Sequence, residues 1–325
     1  GKPKRVVHRP SLVNFLDPFA ALLNRLQLSK YSTAYIATPI YHGYGMALLL
    51  ALLALGKKVI IQDRFDAKKA CALIAHHHVE VITVVPLMLH KMLKHDSAAL
   101  SSLLCVVSGG TKLDASLVKK VRHQLGEVLY NLYGTSEAGL NTIAIPEDLA
   151  EHANTIGREI AGGQMRVVAE GKEVSPGSIG QFCVQNKWSM TNSPTRWIQT
   201  GDTGYRDANG YYFLCGRTDD LIISNGNNIY PMEIEAILTN HPSIRDVAII
   251  GVEDCYSGQL LRAYVQLEHG KTLAKEELID WSGRKLAKFQ IPRDIVFVDD
   301  LPYTELGKLD RKQVETAKKY KYLVN

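Results

Sequence analysis

Over roughly the first 140 residues, short apolar runs alternate with stretches whose apolar positions recur every three or four residues. The spacing predicts a helix over 12–26, with Ser11 placed to cap it. An extended run at 35–38, a helix over 46–55 and a strand over 58–61 follow. Asp66 can open a helix reaching about residue 77, and the run 81–85 reads as a buried strand. Next come a helix at 87–94, a strand at 104–107 and a helix at 115–125. Strands alternating with helices of this length imply crossover units, hence a parallel sheet whose ligands bind at the strands' C-terminal ends. Gly109-Gly110 and the Tyr133-Gly134 turn then fall at a crevice.

From about 142 to 216 the rhythm changes: glycines and prolines punctuate short alternating segments such as 164–168 and 181–184, the mark of antiparallel sheet or barrel. A third region begins near Asp219, with helices at 232–239 and 275–286 and strands at 246–252, 262–267 and 295–298. The expected fold class is α/β: a parallel-sheet subdomain over 1–141, a β-barrel-like subdomain over 142–218, and a small α+β domain over 219–325.

Composition narrows the classes. The chain has 325 residues, room for about two domains, with 46% hydrophobic and 22% charged residues, an ordinary globular profile. A net charge of +5 with no dense basic block suits anionic small molecules and does not call for nucleic acid. Five scattered cysteines, in no metal-binding spacing, fit free thiols in a reducing cytoplasm. The longest apolar run, 46–55, is too short to span a bilayer, so no stable membrane insertion is expected. Consecutive histidines 76–78 point in different directions on a helix and cannot share one metal. The basic tail at Lys318, Lys319 and Lys321 reads as a solvated face that a ligand's phosphates could also engage. The first residue is Gly rather than Met, so a preceding segment is expected.

Several segments, in order, resemble the blocks of the superfamily of acyl-CoA synthetases, adenylation domains and luciferases. Gly1-Lys2-Pro3-Lys4 resembles the end of its phosphate-binding loop, and Leu132-Tyr133-Gly134-Thr135-Ser136-Glu137 its Tyr-Gly-x-Thr-Glu block. Thr200-Gly201-Asp202 matches Thr-Gly-Asp, and Gly216-Arg217-Thr218-Asp219-Asp220-Leu221-Ile222 matches Gly-Arg-x-Asp-Asp-x-Ile, continued by 228–235. Leu301-Pro302-Tyr303-Thr304-Glu305-Leu306-Gly307-Lys308 resembles Leu-Pro-x-Thr-x-x-Gly-Lys. Each block alone is weak, whereas their joint order from residue 1 to 308 is specific.

The resemblance implies joining a carboxylic acid (fatty or aryl) to AMP from ATP, releasing pyrophosphate, then passing the acyl group to CoA. Negative charge crowds that transition state, so cations must converge on it. By resemblance Glu137 binds Mg²⁺, Ser136 donates to the α-phosphate in place of the usual Thr, and Asn131 and Tyr133 face adenine. Asp202 would chelate the ribose hydroxyls and Arg217 would bind ribose or phosphate. Lys308 would bridge the substrate carboxylate and α-phosphate, with Lys4 completing the phosphate loop. Gly109, Gly110 and Thr111, together with the Leu132–Gly134 turn, would line the adenine and acyl pockets, since glycine permits close backbone approach. His42 would border the acyl pocket and the tunnel to the thiol. Asp219 is the implied hinge, whose rotation would withdraw Lys308 and bring Gly226 to the thiol.

Outside these blocks each residue has an ordinary role. Glu137 reads as a helix N-terminal carboxylate, Tyr133 as a core aromatic, and Asp202 as a turn cap. Arg217 reads as a surface ion pair, Lys308 as a solvated loop cation, and His42 as a packed histidine. The stretch 181–200 is shorter than the family's and lacks its Gly-Tyr pair, which blurs the subfamily. Most of the phosphate loop has no counterpart here, so these 325 residues alone are expected to adenylate poorly. Besides acyl-CoA synthesis, loading of a carrier protein and an inactive fragment remain as readings.

Overall fold

The computed structural model describes residues 12–189, 196–254, 258–304 and 309–316. The chain forms two compact units, 1–214 and 215–325.

In the first unit the apolar periodicity takes the expected form, with one early difference. A 3-10 turn at Leu12–Phe15 precedes helix α1 (Leu16–Arg25), where a single helix from residue 12 was expected. Pro18 accounts for this. It has no N–H to donate and is tolerated in the first turn of a helix starting at Leu16, whereas a helix from residue 12 would need that bond. Then come β1 (Thr33–Ile36), α2 (Gly43–Ala54), β2 (Lys58–Ile61), α3 (Ala67–His77), β3 (Val81–Val84), α4 (Pro86–His95), β4 (Cys105–Gly109), α5 (Ala115–Leu125) and β5 (Leu129–Thr135). The Asp66 carboxylate caps α3 by accepting from the Lys69 N–H at 2.8 Å. α2 begins three residues before its predicted start, because Gly43, Tyr44 and Gly45 join its first turn.

β2, β1, β3, β4 and β5 lie side by side and run parallel. Their side chains alternate between two cores. Ile82, Val84 and Val106 pack with residues of α3, α4 and α5, while Val81, Cys105 and Val107 pack with residues of α1 and α2. Burial on both faces explains why these strands read as continuous apolar runs rather than alternating ones.

At β5 the sheet changes direction. A tight loop returns the chain antiparallel as β6 (Gly139–Ala144), and after α6 (Pro146–Glu151) β7 (Thr155–Glu159) is antiparallel again. The β-rich stretch is antiparallel as expected, and it continues the same sheet. β8 (Gln164–Ala169), β9 (Lys172–Glu173), β10 (Gly180–Gln185), β11 (Ile198–Arg206) and β12 (Tyr212–Arg217) complete the order β2-β1-β3-β4-β5-β6-β7-β12-β11-β10-β8-β9. Phe182 is the hub of this part's core, its ring edge-on to Tyr133 and Tyr212 at 6.0 and 5.9 Å.

The second unit is α+β. Its sheet holds β13 (Ile222–Ser224), β14 (Asn227–Ile229), β15 (Ile244–Asp254), β16 (Gly258–Leu267) and β17 (Asp294–Val298), in the order β14-β13-β16-β15 with β17 parallel to β16. Helices α7 (Pro231–Leu238) and α8 (Lys275–Gly283) cover one core and Val314 of α9 (Arg311–Thr316) enters the other. Asn225 (φ 49°) and Gly226 (φ 75°) form the two-residue turn between β13 and β14. Asn-Gly between short apolar runs is the standard signal for such a hairpin, and it went unread in the sequence.

Candidate active site

The carboxyl ends of β4 and β5 are adjacent, with Gly109 opposite Leu132, at the point where parallel pairing gives way to antiparallel. Open sheets bind ligands at such places. Gly109 is buried, and a Cβ added to it would stand 3.1 Å from the Leu132 carbonyl. Gly110 turns away with φ 83°, a conformation that favours glycine, and Thr111 follows half-buried.

Asn131, Leu132 and Tyr133 lie on β5 and are buried. The Asn131 amide donates to the Thr155 carbonyl at 3.0 Å, which ties β5 to β7. Gly134 meets the returning strand so closely that a side chain would collide with the Gly139 carbonyl. Ser136 is exposed and Glu137 half-buried in the loop joining β5 to β6. This is a β-hairpin loop, so Glu137 does not stand at a helix N-terminus, the alternative its sequence allowed. The Thr135 hydroxyl holds the loop by accepting from the Ala138 N–H at 3.1 Å.

Asp202 comes from the far side of the β-rich half. Between β10 and β11 the pairing jumps from Gln181–Thr203 to Cys183–Gln199, so two surplus residues bulge from β11 at Thr200-Gly201-Asp202. Gly201 takes φ 77°. The Thr200 hydroxyl donates to the Phe182 carbonyl at 3.1 Å and accepts from the Asp202 N–H at 3.1 Å, which fixes the bulge. A bulge re-aims the side chains beside it. Here the buried Asp202 carboxylate accepts a hydrogen bond from the Tyr133 hydroxyl at 2.7 Å. Tyr133 is therefore a core aromatic at its ring and a polar partner at its tip.

Sequence reasoning missed Tyr44. It lies in the first turn of α2, and its hydroxyl donates to the Val107 carbonyl at 2.5 Å. Burial pushes its phenol well above the ordinary value. Gly-Gly closing a strand was the available signal, since a bare strand end must be filled from elsewhere. His42 is the residue before α2, half-buried, with its ring 4.6 Å from that of Tyr41.

In the second unit the exposed Arg217 guanidinium is 3.7 Å from the Asp219 carboxylate, and Gly226 is exposed at the hairpin tip. Lys4 and Lys308 lie outside the described residues. Of the described residues on either side, Tyr303 bridges Leu309, and the Tyr303 hydroxyl donates to Asp246. Arg311, just beyond, is clamped by the Glu235 carboxylate at 2.8 Å, Asp220 at 3.4 Å and the Ile249 carbonyl at 2.7 Å.

The structure thus gathers Gly109, Gly110, Asn131, Leu132, Tyr133, Gly134 and Asp202 within the first unit. Bare glycine backbone at the end of β4 and a buried carboxylate bonded to Tyr133 of β5 therefore mark the candidate site at the sheet's switch point.

Residues 1–192 match the AMP-binding enzyme family and residues 233–308 match the AMP-binding enzyme C-terminal domain, so the chain belongs to the AMP-binding enzyme family. The 2-succinylbenzoate–CoA ligase of Bacillus subtilis is 29% identical over 98% of the chain and 67% of that enzyme. Its structure with the acyl-adenylate OSB-AMP superposes with a TM-score of 0.87 at 28% identity, over 99% of the chain and 68% of that structure. The same enzyme with ATP and magnesium gives 0.83 at 29%, over 97% and 67%. The amide bond synthetase McbA of Marinactinospora thermotolerans gives 0.88 at 27%, over 96% of the chain and 67% of that structure. The chain spans about two-thirds of the length of these relatives.

Proposed function

We propose that the chain is the adenylate-binding part of an ATP-dependent acyl-CoA synthetase. The observation that carries this reading is the buried hydrogen bond between Tyr133 and Asp202, which joins the Tyr-Gly-x-x-Glu and Thr-Gly-Asp blocks at the sheet's switch point. The Asp202 oxygens would take the two ribose hydroxyls, with one oxygen already oriented by Tyr133. The bare backbone at Gly109 and Gly110 leaves room for a flat base to approach.

The donors suit ATP with magnesium. Glu137 offers one half-buried carboxylate, and a magnesium ion held by one carboxylate and the substrate's own phosphates needs no protein cage. Among the described residues no group of three His, Cys, Asp or Glu forms such a cage. Bound there, magnesium would supply charge neutralisation at the phosphates.

In the first half-reaction a carboxylate oxygen of the acid attacks the α-phosphorus and the bond to pyrophosphate breaks. Ser136 would donate to an α-phosphate oxygen, Arg217 to ribose or phosphate, and Lys308 would hold the two anions together, with Lys4 in the phosphate loop. In the second, the CoA sulfur attacks the acyl carbon and AMP leaves. His42 and Gly226 would border the sulfur's path, and Asp219 would be the pivot between the two steps. The named relatives include CoA ligases, which supports CoA over a carrier protein as acceptor.

A preformed acyl-adenylate supplied with CoA tests this directly, because it carries no pyrophosphate and makes no demand on residues 1–4. Thioester and AMP should appear together. Asp202→Asn should weaken binding of a non-hydrolysable acyl-adenylate by about ten- to a hundredfold, as expected for losing hydrogen bonds to a charged group. Unchanged binding would overturn the assignment. The likeness to McbA favours a second reading, in which an amine accepts the acyl group. Amide formation without thioester formation would select it.

A further inference from the structure

The return limb of the β5–β6 hairpin is held from outside the hairpin. β7 pairs with β6 at Thr142 and Ile143, and the Ile160 N–H donates to the Asn141 carbonyl at 3.0 Å. The carbonyls of residues 138–140 lie beyond that ladder, and side chains reach them instead. The Asn186 amide donates to the Ala138 carbonyl at 2.8 Å, the Asn141 amide to that of Gly139 at 3.1 Å, and the Trp188 indole N–H to that of Leu140 at 3.0 Å. Asn186 also donates to the Asn141 side-chain oxygen at 3.3 Å, which links the first two. Backbone carbonyls withdrawn from water need partners, and here three in succession receive them from side chains.

Asn186 and Trp188 follow the end of β10, and both are buried, at 4% and 3% exposure. The indole fits between two glycines. A Cβ on Gly139 would stand 2.8 Å from its Cδ1, and one on Gly163 would stand 3.3 Å from its Cη2. Both residues fall in the stretch 181–200, where the sequence departs from the family blocks. The loop they brace is 136–138. Ser136 there is exposed, Glu137 is half-buried, and Ala138 is fully buried. The Ala138 N–H donates to the Thr135 hydroxyl at 3.1 Å, so Ala138 is fixed at both its N–H and its carbonyl, one residue from Glu137.

We infer that Asn186 and Trp188 are positioning residues, which lock the β5–β6 loop so that Ser136 and Glu137 meet a magnesium-bound triphosphate already in place. A loop ordered beforehand loses less freedom when its ligand arrives. This inference rests on the ligase reading above, and on the roles given there to Ser136 and Glu137.

The test measures binding to the full chain by calorimetry, with adenosine, with ATP, and with ATP and magnesium. Adenosine carries no phosphate and makes no demand on the loop. In the unaltered protein magnesium should strengthen ATP binding. Asn186→Ala removes the donor to Ala138 and should reduce that magnesium-linked gain by about tenfold, with adenosine affinity held within about threefold. Trp188→Phe keeps a ring between the glycines, loses only the N–H, and should reduce the gain by a smaller factor. Hydrogen exchange gives a readout that needs no ligand: the Ala138 amide should exchange about tenfold faster in Asn186→Ala, while the amides of β4 keep their rates. If Asn186→Ala does not fold, as judged by circular dichroism, Trp188→Phe carries the test. An unchanged magnesium-linked gain in a folded variant overturns the inference, as do equal losses for adenosine and for ATP with magnesium. Either result leaves the ligase reading standing. ATP binding that ignores magnesium in the unaltered protein overturns the inference together with the magnesium role of Glu137. Failure of the unaltered protein to bind adenosine or ATP overturns both the inference and the ligase reading.

Discussion

Removing the Tyr133 hydroxyl by Tyr133→Phe deletes one atom and leaves the ring packed against Phe182. The cost falls on Asp202, which is 8% exposed and accepts that hydroxyl at 2.7 Å. A hydrogen bond to a charged, buried acceptor contributes about 1.5–3 kcal/mol. For a unit of 214 residues, about 2 kcal/mol corresponds to a melting shift of about 4–8 °C. Calorimetry of the full chain reads the shift, and a double-mutant cycle with Asp202→Ala isolates the pair. The coupling energy should be about 1.5–3 kcal/mol. Asp202→Asn keeps an acceptor for the hydroxyl and should lose less stability than Asp202→Ala. A coupling below about 0.5 kcal/mol would mean the two groups do not support each other, and the structural argument for the site would fail with it.

Arg311→Ala should destabilise the second unit by about 3–5 kcal/mol in urea unfolding, because it leaves the Glu235 and Asp220 carboxylates facing a cavity, and Arg311→Lys should recover only part. A loss under about 1 kcal/mol would show that water replaces the guanidinium. Burial pushes the pKa of the Tyr35, Tyr130 and Tyr212 phenols and of the Cys105 thiol above their ordinary values. These groups stay protonated in the folded chain while the unfolded chain ionises, so their contribution is fully present below about pH 9 and is lost as pH rises further. Each group contributes a slope of up to about 1.4 kcal/mol per pH unit. A melting temperature that is flat to about pH 11 would contradict this. Cys71, Cys105, Cys183 and Cys215 are buried, so iodoacetamide at neutral pH should label them only after unfolding. Rapid labelling of the folded chain at any of the four would show an opening absent from the structure.

The regular elements were legible where a local signal was decisive. Asp66 marked the start of α3, and β2 and α5 ran over the residues their periodicity predicted. The first helix was drawn too long because apolar spacing carried the reading across Pro18, whose missing N–H outweighs a favourable pattern. The candidate site residues were named through resemblance to a family, and the fold adds the hydrogen bond that joins two of them, Tyr133 and Asp202. Nothing local in the sequence states that Asp202 answers Tyr133. That pairing depends on two surplus residues in a strand, and a surplus is visible only when the partner strand's register is known. Tyr44 was hidden for a similar reason. Its ring packs on Gly109, which lies 65 positions further along the chain.

The Tyr133–Asp202 contact spans 69 positions of sequence, whereas Tyr133 itself lies on a hairpin closed by a three-residue loop. Local closures form quickly and distant ones wait for the chain between them to order. The parallel sheet with its β5–β6 hairpin can therefore assemble with Tyr133 in place while its carboxylate partner is still on unfolded chain. Competence to hold a nucleotide would then arrive as one of the last events in folding this unit. A pulse of hydrogen exchange during refolding should find the amides of β5 protected before that of Asp202.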